Sequence, residues 1–391
     1  LRQVWPEVPL GEVLDIFDHL RVPLNSTQRA ARRGPFPYYG AQGVIDHVDG
    51  YLFDGRYLLI PEDGENLDSR KLPIAYFADG RFWVNNHAHI VRGKPGVADD
   101  VFIKQWLNNA DISPYVTGAA QPKLSQGNLK RMPIRLPPLV EQRRIASILG
   151  AYDDLIEVNR RRVAVVEEMA GRLFEEWFVH FRFPGHGQGT PLPSGNVEEL
   201  IDFDPATQLP RSGEKPFIPM TLLSTNSSLI DSYEWREAGS GAKFRNGDTL
   251  FARITPCLEN GKTGLVRGLP GDGVGFGSTE FIVMRGRRAG PAFTYLLARY
   301  EAFRFHARKS MSGATGRQRA RTESVKTFSF VNPSKQILDS FDALAWPMLE
   351  LVGKLGEANK RLAASRDLLL PRLISGDLSV SAAERELEAV A

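Results

Sequence analysis

The chain has 391 residues, 42% of them hydrophobic and 24% charged, the balance of a folded globular protein too long for one ordinary core. A net charge of +3 decides nothing about nucleic acid, because local clusters matter more than the sum. The one cysteine, Cys257, excludes an internal disulfide framework and cysteine-rich zinc sites. No apolar run is long enough to cross a bilayer and no basic-then-apolar leader opens the sequence, so a cytoplasmic protein is expected.

Residues 1–138 form the first expected domain. Trp5 to Val13 suggests a short strand or turn, and the runs Phe36 to Ile45 and Tyr51 to Pro61 are rich in β-formers. Asp54-Gly55 and Asp79-Gly80 each interrupt such runs, and both predict β-hairpins. Asp99 to Asn108 predicts a short helix burying Phe102, Ile103, Trp106 and Leu107.

A long helix follows, from Leu139 to Phe181 within a spacer segment 139–183. Ile145, Ile148, Tyr152, Leu155, Val163, Val166, Ala170, Leu173 and Trp177 recur mostly at three and four, with Asn159 filling the gap between Leu155 and Val163, the mark of a narrow seam against a partner helix. At 1.5 Å per residue such a helix is roughly 60 Å long. Pro184 to Gly195 is rich in glycine and proline and marks a linker.

The second domain is expected over 184–333, with strands near Phe217 to Met220, Thr249 to Ile254 and Glu280 to Met284, and one helix from Pro291 to His306. A second long helix, Lys335 to Ile374, lies in a closing segment 334–391. It aligns with the first at an offset of 200: Leu155, Glu157, Asn159, Arg161, Arg172 and Leu173 fall on Leu355, Glu357, Asn359, Arg361, Arg372 and Leu373. Thr117-Gly118-Ala119 likewise corresponds to Ser312-Gly313-Ala314. The chain is therefore a tandem duplication. The expected fold class is α+β, with two similar domains joined by two long antiparallel helices in a coiled coil with pseudo-two-fold symmetry. Asn159 and Asn359 would then fix register in an apolar seam.

Enzyme motifs are missing. Gly261-Lys262-Thr263 lacks the upstream glycine of a phosphate loop, and the glycines of 271–277 do not match the dinucleotide fingerprint. His87 and His89 alternate along a strand with no third metal ligand evident, so ordinary strand residues are expected and no metal site. Basic loops stand out instead. Arg317, Gln318, Arg319 and Arg321 sit among Ser310, Ser312 and Thr315, and Gln121, Lys123, Gln126, Asn128, Lys130 and Arg131 occupy the matching place in the first domain. Arg and Gln make bidentate contacts to guanine and adenine edges, while Lys, Ser and Thr take phosphates. Any one cluster is more often a solvated surface. Two at the same point of a repeat favour DNA contact by Gln121, Lys123, Lys130, Arg131, Arg317, Gln318, Arg319 and Arg321.

The stretches Pro37 to Gly43, Asp54 to Ile60, Leu136 to Ile145, Tyr152 to Asn159, Leu173 to Phe178 and Leu370 to Gly376 resemble the specificity (S) subunit of type I restriction–modification systems. The resemblance covers nearly the whole chain and is loosest in the second domain. It implies two target recognition domains, each reading half of a bipartite, asymmetric site in double-stranded DNA, with paired helices setting the spacer and docking two modification subunits. The chain itself would be non-catalytic and hold no cofactor. S-adenosylmethionine for adenine methylation would belong to the modification subunits, and ATP and Mg to a restriction subunit where one joins. Two other readings compete. A self-contained DNA-modifying enzyme would methylate or cleave alone, and a coiled-coil scaffold would leave no DNA footprint.

Overall fold

The computed structural model describes residues 5–118, 121–186, 192–237, 239–313 and 316–388. Ala119, Ala314 and Thr315, and residues 187–191 of the linker, lie outside them. The chain divides into two compact units: residues 1–155 with 362–391, and residues 156–361.

In the first unit the elements run β1 (Glu7–Pro9), α1 (Leu10–Val13), β2 (Leu14–Ile16), α2 (Ser26–Ala31), β3 (Arg33–Gly40), β4 (Gly43–Val48), β5 (Phe53–Asp54) and β6 (Tyr57–Pro61). They continue with α3 (Asn66–Ser69), β7 (Tyr76–Ala78), β8 (Arg81–Val84), β9 (Ala88–Gly93), α4 (Asp100–Asn109), α5 (Gln126–Arg131) and β10 (Pro133–Arg135), and lead into α6 (Leu139–Phe178). The second unit repeats the strands as β11 (Ser194–Asn196), β12 (Ile201–Phe203), β13 (Glu214–Ile218), β14 (Glu234–Glu237), β15 (Ala242–Arg245), β16 (Thr249–Ala252), β17 (Thr263–Leu265), β18 (Val274–Gly277) and β19 (Phe281–Gly286). Then come α7 (Pro291–Arg299), α8 (Glu301–Lys309), α9 (Thr322–Val325), β20 (Ser329–Val331) and α10 (Lys335–Ser375), with α11 (Val380–Glu388) closing the first unit.

The pairings show the duplication strand for strand. Sheet orders β1-β10, β2-β9-β6-β7 and β4-β3-β8-β5 recur as β11-β20, β12-β19-β16-β17 and β14-β13-β18-β15. Even the parallel pairs coincide, β3 with β8 and β13 with β18.

This topology corrects both hairpin expectations. Asp54-Gly55 does not join paired strands: β5 pairs with β8 and β6 with β7. Asp79-Gly80 joins β7 to β8 in the same way. The two turns are corners of one bent antiparallel ribbon that crosses between sheets. Gly55 and Gly80 supply the positive φ of 117° and 78°, and Gly55 N–H donates to the Gly80 carbonyl at 2.9 Å. The single helix expected over 291–306 is also corrected, because it breaks at Tyr300, whose ψ of 128° is extended. The break aims Arg299 at the carbonyls of Thr225 and Gly261, and Arg304 at those of Leu258 and Glu259.

Each core is closed by both long helices. In the first unit Phe102, Ile103, Leu107 and Ile134 pack with Ile145 and Leu149 of α6 and Leu369 and Leu373 of α10. In the second, Phe174 and Phe178 of α6 meet Phe293 of α7 and Phe341 of α10, with Phe178–Phe341 centroids 4.9 Å apart. Each fully buried ring of this kind contributes about 1.5–3 kcal/mol. Along the second unit, residue 159 meets 359 and 178 meets 341, so the helices are antiparallel. Leu155, expected in the seam, is 52% exposed, and Ile156 is buried instead. Helix α6 stops at Phe178 rather than 181, because Phe181 turns left-handed (φ 56°) and Arg182 N–H caps the Glu176 carbonyl at 2.7 Å. No helix among the described residues is long and apolar enough to cross a membrane.

Candidate nucleic-acid interface

The two basic loops are built on the same backbone scaffold. In the first unit Thr117 and Lys123 form an antiparallel bridge, Lys123 bridges Asp63, Leu124 N–H donates to the Glu62 carbonyl (2.8 Å) and Gly64 N–H to the Pro122 carbonyl (3.1 Å). In the second, Ser312 and Arg319 form the bridge, Arg319 bridges Ile254, Ala320 N–H donates to the Arg253 carbonyl (2.8 Å) and Thr255 N–H to the Gln318 carbonyl (3.0 Å). Lys123 therefore corresponds to Arg319, and Gln121 to Arg317. Gln318 stands opposite Pro122, not Gln121. After each loop comes a short helix, α5 or α9, then the strand that precedes a long helix.

The side chains divide into anchored and free. The Arg319 guanidinium forks onto the Glu280 carboxylate, the nearest contact being 2.7 Å. That bond holds the Glu280 carboxyl below its usual range and raises Arg319. Lys123 pairs with Glu62 at 3.3 Å, and Arg321 donates to Ser312 Oγ at 3.1 Å. Arg131 donates to Asn128 Oδ1. Gln121, Lys130 and Arg317 are exposed and without a side-chain partner among the described residues. Of the eight side chains expected to touch DNA, four are anchored, these three project unpaired, and Gln318 is half-buried with no side-chain partner among the described residues. A free side chain can meet a base edge or phosphate without first breaking an ion pair.

Beneath the first loop lies a charge cluster that the sequence did not reveal. His89, fully buried in β9, offers Nδ1 to Asp18 at 2.6 Å and Nε2 to the Leu124 carbonyl at 2.8 Å. A carbonyl can only accept, so Nε2 carries a proton. Burial opposes ionisation of Asp18, yet His89, the Ile90 N–H and Gln126 together hold its carboxyl below the ordinary value. Glu62 is depressed too, with burial outweighed by Arg21, His89 and Lys123. Ligand atoms of Asp18, Glu62 and His89 lie within 4.8 Å of one another, close enough to hold a cation. Arg21, 2.8 Å from Glu62 and 3.6 Å from Asp18, already supplies the positive charge there. His89 thus has carboxylate partners that strand alternation could not show, because they lie 71 and 27 residues away.

The seam carries the other expected pair. Asn159 Nδ2 donates to Asn359 Oδ1 at 3.0 Å, and Asn359 Nδ2 to the Ile156 carbonyl at 3.3 Å.

Residues 3–168 match the type I restriction modification DNA specificity domain family. Over those residues the chain is similar to type I specificity subunits. A putative type I restriction enzyme specificity subunit of Haemophilus influenzae is 38% identical over 148 residues, 38% of this chain and 37% of that protein. This match spans little more than a third of the relative's length. The HindI specificity subunit of the same organism is 22% identical across 83% of this chain and 84% of its own length. The crystal structure of a type I S subunit from M. genitalium aligns with a TM-score of 0.62 at 12% identity, covering 94% of this chain and 96% of that one. The type I specificity fold therefore extends through the second unit, beyond the residues that the family match covers.

Proposed function

We propose that this chain is the DNA sequence-specificity subunit of a type I restriction–modification complex, and that it is not itself an enzyme. Residues 1–138 and 184–333 act as target recognition domains, each reading one half of a bipartite, asymmetric site in double-stranded DNA. Helices α6 and α10, within 139–183 and 334–391, set the spacer and dock two modification subunits that methylate adenine with S-adenosylmethionine. A restriction subunit using ATP and Mg joins where the system cleaves. The complex works in the cytoplasm.

The observation that carries this reading is one loop scaffold built twice, with different free side chains at its tip: Gln121 in one copy and Arg317 in the other. A repeat that keeps its frame and changes its tip suits two half-sites of different sequence. Gln pairs with adenine and Arg with guanine. Co-expression with the cognate modification subunit, followed by genome-wide mapping of adenine methylation, should reveal one bipartite motif. Exchanging residues 1–138 for those of a relative should change one half only. A change in both halves, or methylation by the purified chain alone, would sink the reading.

A further inference from the structure

We propose that Asp18 and Asp204 are positioning residues for DNA reading, each carboxylate locking the short helix behind one recognition loop to the central sheet beneath it. This rests on the loops being the DNA-reading elements. In the first unit Asp18 Oδ1 accepts the backbone N–H of Ile90 in β9 at 3.0 Å, and Oδ2 accepts Gln126 Nε2 at 3.0 Å. Gln126 is the first residue of α5. In the second unit Asp204 Oδ1 accepts the backbone N–H of Val283 in β19 at 2.9 Å, and Oδ2 accepts Thr322 Oγ1 at 2.9 Å. Thr322 is the first residue of α9.

The two tethers join equivalent points. Ile90 and Val283 each precede the residue paired at the end of the edge strand, Val91 with Ile16 and Met284 with Phe203. They are also the two residues whose carbonyls accept from Phe17 and Asp204 at 2.8 and 2.7 Å. By that backbone bond Asp204 stands where Phe17 does, one position before Asp18. The carboxylates nevertheless arrive at the same two targets. Asp204 does so from a left-handed backbone (φ 47°), a conformation that costs a non-glycine residue energy and that Asp tolerates better than most. The surroundings differ: His89 supports Asp18, whereas apolar Ile282 occupies the corresponding place in β19. The same connection is thus made with a different donor, a different backbone position and different neighbours.

A tether at this point has one geometric effect. Each loop is fixed at its base by the backbone bridge at Lys123 or Arg319. The carboxylate fixes the chain three residues further on, so the loop cannot roll about that bridge. Rolling would move Gln121 or Arg317 relative to a base edge, and a bidentate contact tolerates little misplacement.

The test uses the full chain assembled with its modification subunit and duplexes carrying the motif mapped for the wild type, with single-base changes placed in either half. Thr322→Val and Asp204→Ala should each cost about tenfold in discrimination, the scale of one mismatched base pair, in one half-site only. Gln126→Met and Asp18→Asn should do the same in the other half. Thr322→Ser, which keeps the hydroxyl, should restore discrimination to the wild-type level. Unchanged discrimination in Thr322→Val, or equal loss in both halves with no rescue by Thr322→Ser, overturns the proposal while leaving the subunit assignment standing. A wild-type complex with no bipartite motif overturns both.

Discussion

Asn159 and Asn359 face each other across the seam of the two long helices, their side-chain amides joined by a 3.0 Å hydrogen bond. The buried amide of Asn159 and the half-buried amide of Asn359 satisfy one another here at little net gain, but each is costly to orphan. Asn159→Leu alone should therefore lower stability by about 1–3 kcal/mol in chemical denaturation. Replacing both asparagines with leucine should recover most of that loss, or exceed the wild type, while permitting other helix registers. If the double variant is as unstable as the single one, the pair is not a matched register mark.

Arg317 and Arg319 stand two residues apart and should behave oppositely. Arg317→Ala removes a free side chain that reads a base edge, so it should weaken specific DNA binding by the complex by about 1–3 kcal/mol and relax the preference at one position, with stability changed by less than about 0.5 kcal/mol. Arg319→Ala leaves Glu280 without its fork. It should shift the unfolding transition measurably as well as impair binding. Binding titrations across a salt series, alongside thermal unfolding, separate the two. Equal effects of both substitutions on unfolding would contradict the division into anchored and free side chains.

Acid should act on the loop supports. Asp18, Glu62 and Glu280 have carboxyls held below their unfolded values, so each contributes stability that is complete above about pH 4–4.5 and is lost as pH falls through the lower folded value. Stability should fall with decreasing pH below that range, and Asp18→Asn should flatten the dependence. A wild-type stability that stays level from about pH 5 to 2.5 would contradict this assignment.

Gly290 opens helix α7 beneath a carboxylate from α10. Asp342 Oδ1 accepts the Phe293 N–H at 3.0 Å, capping a helix whose N-cap residue, Gly290, has no side chain to do so. A Cβ on Gly290 would lie 1.6 Å from Asp342 Oδ2. Gly290→Ala should therefore displace the carboxylate and destabilise the protein by about 1–3 kcal/mol, as calorimetry would measure. In the first unit Gln142, at the offset of 200, serves the same helix end by accepting the Asp99 N–H at 2.9 Å.

The long helices were legible because an amphipathic stripe is a local signal that repeats many times. The offset of 200 held along them for the same reason. Before them it drifts: β1 and β11 begin 187 residues apart and β10 and β20 196 apart, since loop lengths differ between copies. Four more residues therefore separate β20 from Asn359 than separate β10 from Asn159. The Asp-Gly turns were visible as turns but not as corners, because partner choice among strands is a long-range matter. The loops were legible as basic, yet their anchoring was not. Glu280 lies 39 residues from Arg319, and Asp204 118 from Thr322.

One unit of this chain is interrupted by the other. Leu369, Leu373, Ile374, Leu378, Val380 and Ala383 complete a core whose remaining buried members precede residue 153. During synthesis the inserted unit has all of its residues once position 361 has been made, while the one begun first still waits for its closing apolar stripe. A premature stop just after Arg361 would thus damage the domain encoded earliest, and a ribosome pausing there would hold the nascent N-terminal half open.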